Sequence, residues 1–205
     1  ITYRLRASST KSVPMNLDDK DRRIISMFAE EPGVSQEAVA RELGISQPSV
    51  AVRIRKLREL GALESLNGIN PLRMGLYLAK VDISSNRPAE ILDMFKDCPY
   101  FAHGFTISGR NNLCLFFASE NISTLEAIVN GHIRSNQWVT AVDFNIVIAS
   151  ERPFILPTRL VMKRVEGSPC GHPIGCRNCK AFKDMKCMGC PATGQYQGHF
   201  FVTVE

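Results

Sequence analysis

Apolar residues recur at two different spacings along the chain, and the change between them divides it. From Leu17 to Glu31 the spacing is helical, with Ile24, Ile25 and Phe28 on one face and Asp18, Asp19 and Asp21 at the positive N-terminal end of the helix dipole. Pro32-Gly33 stops this helix. Ser35 is placed to cap a second one, whose Ala38, Val39 and Leu43 turn inward before Gly44 ends it. A third helix starts with Pro48 in its first turn and runs to about Leu60, with Val50, Ile54, Leu57 and Leu60 on its buried side and Gly61 at its end.

From Tyr77 the period falls to two. Tyr77, Ala79, Val81 and Ile83 alternate with Leu78, Lys80 and Asp82, as a half-buried strand requires. Pro88 opens a helix with Ile91, Leu92 and Phe95 inward. Phe101, His103, Phe105 and Ile107 predict a second strand, "SGRNN" a turn and "LCLFFA" its hairpin partner. A helix carrying Leu125, Ile128, Val129 and Ile133 follows, then a strand lined by Val142, Phe144, Ile146 and Ile148. The order β-α-β-β-α-β predicts a ferredoxin-like domain, so the fold class is α+β. Helices cover one sheet face, and the apolar alternation on the other predicts that two copies pack sheet to sheet as a homodimer.

Charge sharpens the reading of the third helix. The chain carries a formal net charge of +5 in 205 residues, but residues 17–70 hold eight basic against nine acidic groups. The excess sits at the ends: +3 over residues 1–16 and +4 over residues 151–205. Any DNA contact from the middle must therefore be local. Residues 46–60 supply it, with four basic groups against the single Glu59. Two short helices joined by a tight glycine turn and followed by "GALESLNGINP" form a winged helix-turn-helix pattern, and Ala40 is small enough to let the pair cross closely. Gln47, Ser49 and Arg53 lie on the outer N-terminal side of the third helix, where a recognition helix meets base edges. Arg55, Lys56 and Arg58 are placed for phosphates. A protein-binding winged helix with a solvated charged face is the competing reading.

The cysteines add a second chemistry. Five of the seven fall between Cys170 and Cys190, and "CRNCKAFKDMKCMGC" sets two Cys-x-x-Cys pairs seven residues apart. Four thiolates can close a tetrahedral zinc site, which makes Cys176, Cys179, Cys187 and Cys190 the candidate ligands. Lys180, Lys183 and Lys186 would offset their charge. "GSPCGHPIGCRNC" has few apolar residues, so metal would supply most of the module's folding energy. Cys170 could replace one ligand, join His172 in another set or act as a redox partner. The pairs could also cycle between dithiol and disulfide, and Cys190-Pro191 leaves an iron-sulfur cluster as the less favoured cofactor. Cys98 and Cys114 read as small buried apolar residues, and His103, His132 and His199 as structural or surface histidines.

"LDDKDRRIISMFAEEPGVSQEAVARELGISQPSVAVRIRKLRELGALES", with a ferredoxin-like domain carrying "ISGRNNLCLFF" at its hairpin, resembles the Lrp/AsnC family of feast/famine transcriptional regulators over about residues 17–150. The resemblance implies dimers, tetramers or octamers on double-stranded promoter DNA, with Ser46, Gln47, Ser49 and Arg53 toward the bases. It also implies an amino-acid effector held between effector domains, with the hairpin supplying an acidic group to it. The matching positions are Gly109, Arg110, Asn111 and Asn112, where the family's acidic Gly-x-x-Asp pattern is absent and no carboxylate waits for a ligand's ammonium group. Past Glu151 this chain continues where such proteins end, and "CGHPIGCRNCKAFKDMKCMGC" resembles a short Cys-rich motif that implies no function.

The expected organisation is a leader or appended segment at 1–16, a DNA-binding domain at 17–68, an effector-binding and dimerisation domain at 69–151, and a linker with a metal-binding module at 152–205. No apolar stretch reaches the roughly 20 residues of a membrane span and no secretory signal core is evident, so a cytoplasmic regulator without a membrane partner is expected. No catalytic constellation stands out, and a non-enzyme is expected. Two other readings compete: an enzyme resembling the siroheme decarboxylases, using His103 and Arg110, and a protein-interaction adaptor using the Cys-rich tail.

Overall fold

A computed structural model of the chain describes residues 16–171 and 175–204. Residues 1–15 of the predicted leader and His172 lie outside these residues. The chain divides into two compact units, one through Ser65 and one from Leu66 onward.

The first unit is built from α1 (Asp19–Glu30), α2 (Gln36–Leu43) and α3 (Gln47–Glu59). Each start has a local cause. Asp18 Oδ1 accepts from the Asp21 amide at 2.8 Å and Asp21 answers with a reciprocal bond to the Asp18 amide, a capping box that sets α1 two residues later than the periodicity suggested. Ser35 Oγ accepts from the Ala38 amide at 3.1 Å, and Gly44 closes α2 at φ +61. Ile24, Val39, Leu43, Val50, Ile54, Leu57 and Leu63 form the core. Leu60, expected inside, is half exposed, because α3 ends at Glu59 and the chain turns away there. The segment after Gly61 forms no strand among the described residues.

The second unit contains β1 (Tyr77–Ser85), α4 (Pro88–Phe95), β2 (Phe101–Thr106), β3 (Leu113–Ser119), α5 (Ile122–Ile128), continued by a π-helical turn at Val129–Arg134, and β4 (Val139–Ile146). The strands form one antiparallel sheet in the order β2-β3-β1-β4. With two helices over one face this is the ferredoxin-like arrangement. Val81 stands opposite Leu115 and Phe144, and these residues pack with Ile91, Phe95, Leu125 and Ile133 beneath the helices. Gly104 is required here, since a Cβ would lie 2.6 Å from Leu92 Cδ2 of α4.

Two strand expectations fail for stated reasons. A bulge between Phe101 and His103 puts Phe101 opposite Phe117 under the helices, while His103 pairs with Phe116 on the other face, so the two do not share a side. Ile148 lies past the end of β4 and is 89% exposed. The sheet face expected to meet a second copy is partly covered by the chain itself: Leu156, Phe154 and Phe200 pack on Leu78, Phe116 and Ala118. Ile69 and Leu156 bond each other's backbones there, and a Cβ on Gly68 would sit 2.0 Å from the Leu156 carbonyl oxygen.

The tail forms β5 (Val161–Lys163), a short α6 (Lys180–Lys183) and β6 (Val202–Val204), with β5 and β6 parallel. It belongs to the second unit's core. Phe201 and Cys170 are buried in that core, with Tyr196, Phe200 and Met162 against it. Polar links hold it: the Tyr100 hydroxyl donates to the Gly189 carbonyl, the Met188 amide donates to Thr124 Oγ1 at 2.9 Å, and Glu120 accepts from the Tyr196 hydroxyl and, at 2.7 Å, from the His199 amide.

Candidate functional site

Helix α3 presents one polar edge. Ser46, Gln47, Ser49, Arg55, Lys56 and Arg58 are all exposed, and Ser46 and Ser49 share a hydroxyl hydrogen bond of 2.8 Å at the start of the helix. Arg53 differs from this group. Its Nη1 donates to Asp18 Oδ2 at 2.7 Å and Asp21 Oδ1 at 2.6 Å, so it ties α3 to the capping box of α1. Asp21 is 4% exposed, and Arg53 is the cation that offsets its burial. The Asp21 amide, and after it the Arg53 bonds, hold the Asp18 carboxyl below its ordinary value.

Sequence periodicity overlooked one member of this edge. Val52 is 60% exposed in mid-helix, one turn from Ser49, Arg55 and Lys56. An exposed branched apolar residue among polar neighbours was legible as an interruption of the polar face, and its exposure is what singles it out.

The hairpin positions are arranged differently. Ser84 Oγ donates to the Arg110 carbonyl and Asn111 Oδ1, both at 2.8 Å, and Asn111 Nδ2 donates to Asp143 at 3.1 Å. Asn112 pairs both ways with the Ser85 backbone, at 2.9 and 2.6 Å. Both amides are spent on stitching the hairpin to β1 and β4. Gly109 and Arg110 remain exposed.

The cysteines meet in a cavity of about 770 Å³ within the second unit. Cys176, Cys179, Cys187 and Cys190 all line it, and so do Cys170 and Cys98. Cys98 arrives from the turn between α4 and β2, which joins it to a site that sequence spacing confined to the tail. Cys114, by contrast, sits on β3 opposite Phe105, away from this cavity, where burial pushes its thiol up to about 11. Burial raises Cys98 well above the thiol range and Cys190 to about 11, with neighbouring cysteines adding to both. Arg164 and Lys186 bring positive charge to the walls, and Glu126 and Glu166 bring negative charge.

The donor set fits a soft metal in kind, with four thiols lining one cavity. In position it requires closure. Among the described residues no three His, Cys, Asp or Glu side chains stand together at metal-holding spacing.

Comparison with known proteins places this architecture. Residues 17–64 match the family model described as winged helix-turn-helix DNA-binding. The chain is similar to LrpA, an HTH-type transcriptional regulator of Pyrococcus horikoshii, at 24% identity over 62% of this chain and 92% of that protein. It is similar to the regulator AldR of Mycobacterium tuberculosis, also at 24%, over 69% of this chain and 84% of the relative. Among solved structures, E. coli AsnC superposes with a TM-score of 0.60 at 14% identity, over 70% of this chain and 99% of that one. The fold is therefore that of AsnC, a winged helix-turn-helix with an α+β antiparallel-sheet domain. LrpA and AldR are HTH-type transcriptional regulators, and the likeness is to proteins of that class. About three tenths of this chain has no counterpart in AsnC. No helix among the described residues is long and apolar enough to cross a membrane.

Proposed function

We propose that this protein is a DNA-binding transcriptional regulator of the Lrp/AsnC type, acting as a homodimer or larger assembly in the cytoplasm. The observation that carries the reading is the exposed edge of α3, where three hydroxyl or amide side chains precede three basic ones on a helix inside the winged helix-turn-helix match. Gln47 and Ser49 face base edges, with Ser46 beside them. Arg55, Lys56 and Arg58 neutralise phosphates. Arg53 aligns the helix through Asp18 and Asp21 and reads DNA only if those pairs open. The test is selection of genomic fragments followed by mobility shifts across a salt series. Binding that weakens steeply with salt supports the reading. Absence of binding at low ionic strength refutes it.

Two copies would meet through the part of the sheet face left open around His103 and Phe105, whose stacked rings are 4.4 Å apart and exposed. Light scattering that returns a single-chain mass would refute the dimer. An effector at the hairpin would rely on Gly109 and Arg110, the exposed members of that set.

In the tail, Cys176, Cys179, Cys187 and Cys190 would hold zinc as a structural ion, which joins the two Cys-x-x-Cys turns when bound. The supporting observation is that all four line one cavity. Elemental analysis with thiol counting on protein purified without oxygen tests this, since zinc, iron and a disulfide give different results.

A further inference from the structure

We infer that Val52, with Pro48 one turn before it, forms an apolar crest on α3 that reads thymine through its 5-methyl group. The operator half-site is then specified there by a methyl contact and not by a guanine-seeking cation. The inference rests on the reading of α3 as the recognition helix and adds what that helix recognises.

Helix geometry fixes which side chains stand farthest from the core. Val50, Ile54 and Leu57 are no more than 2% exposed and mark the inward side of α3. At about 100° per residue, Val52 points about 160° away from Val50 and Ile54 and about 140° away from Leu57. Pro48 lies on the same line, about 6 Å earlier along the axis, and is exposed. Val52 is 60% exposed. A single valine in solvent is ordinary on a protein surface, whereas two apolar residues in line on the outermost ridge of a helix make a continuous feature.

The flanks of the crest select its partner. Arg55 and Arg58 lie on one side of it and Lys56 on the other, all exposed. Such a surface complements a polyanion that carries apolar groups between its charged edges. The major groove of duplex DNA has this form, with phosphates along its walls and the thymine methyl on its floor. Glu59 prolongs the ridge at the C-terminal end, and phosphates repel its carboxylate. The first two turns of α3 therefore enter the groove and the last turn stays out.

Arg53 removes the competing code. Arginine specifies guanine through O6 and N7. Between Gln47 and Ile54 the only cation is Arg53, and its Nη1 is held by Asp18 at 2.7 Å and Asp21 at 2.6 Å. The hydroxyls of Ser46 and Ser49 suit any base and discriminate little, and the Gln47 amide pairs with adenine. Val52 is thus the group on these turns that distinguishes thymine from the other bases.

The experiment uses a duplex from the genomic fragments that the full chain selects. Each thymine is replaced in turn by deoxyuridine, which removes the methyl and nothing else, and binding of the wild type and of Val52→Ala is followed by fluorescence anisotropy. One thymine per half-site should weaken wild-type binding about fivefold when its methyl is removed. Val52→Ala should lose about fivefold per half-site on the unmodified duplex and be indifferent to that same replacement. A variant that binds like the wild type, or that responds like it at every thymine, overturns the crest and leaves the regulator reading standing. Absence of any bound fragment at low ionic strength overturns both. Val52 is exposed and alanine favours helix, so the variant should melt with the wild type. If it does not, the wild-type scan decides alone, and a scan with no sensitive thymine overturns the crest.

Discussion

The two candidate sites are assembled in opposite ways. The α3 edge draws all its members from one helix, and its single long-range tie is Arg53 reaching back to Asp18 and Asp21. The cysteine cavity gathers side chains from the α4–β2 turn, the α5 region and several stretches of the tail. A site on one helix survives if that helix folds. A site collected from distant segments exists only when the whole unit does, so damage far from it should still reach it.

The strongest test of that contrast is removal of the zinc ion proposed for the tail. Structural zinc contributes apparent free energies of about 10 kcal/mol or more in small modules that have nothing else to fold on. Here Phe201, Tyr196 and Met162 anchor the tail independently. Chelation should therefore speed amide exchange across residues 176–190 while residues 202–204 and α1–α3 stay protected, as read by hydrogen-exchange mass spectrometry.

Next in size is Phe201→Ala. This tail residue is buried edge-on against Tyr100 and Tyr196, with ring centroids 5.8 and 5.6 Å away. Its truncation should cost the second unit about 3–5 kcal/mol in denaturant melts. Arg53→Ala should destabilise the first unit by about 1–3 kcal/mol, because it leaves the buried Asp21 carboxylate without its cation. Arg55→Ala should leave that melt unchanged and lower the salt slope of DNA binding by about one.

Val52→Ala is a finer probe. If the exposed side chain meets a thymine methyl, the substitution should weaken binding by about 1 kcal/mol, and replacing the contacted thymine by uracil should abolish the difference. The smallest effect concerns acid. The lowered Asp18 carboxyl lends stability that is fully present above its ordinary value of 3.8 and is lost as pH falls through the lower folded value. Asp18→Asn should flatten that last part of the melting-temperature profile.

Local signals made the helix-turn-helix legible. Asp18, Ser35 and Gly44 announce their caps, and the 3.6-residue period marks Ile24, Val39 and Leu57 as core. The sheet was legible as strands but not in its facing, since the bulge at Phe101–His103 depends on how β3 pairs with β2 and leaves no mark on the alternation. Cys98 shows the same limit in chemistry. Cysteine spacing identifies ligands only within a segment, and Cys98 reaches the tail cysteines through the fold alone. The ion pairs of Arg53 were hidden likewise, because the partners are 35 and 32 residues away.

The bond between Ile69 and Leu156 stitches the tail at its root, while Glu120 fastens it near its tip. A shortened protein ending near Arg159 would bare Tyr100 and the aromatic floor beneath Phe201, creating a sticky apolar surface where the full chain has a finished one. The appendage therefore serves as a lid on its host, and trimming it to obtain a tidier regulator should yield aggregates instead.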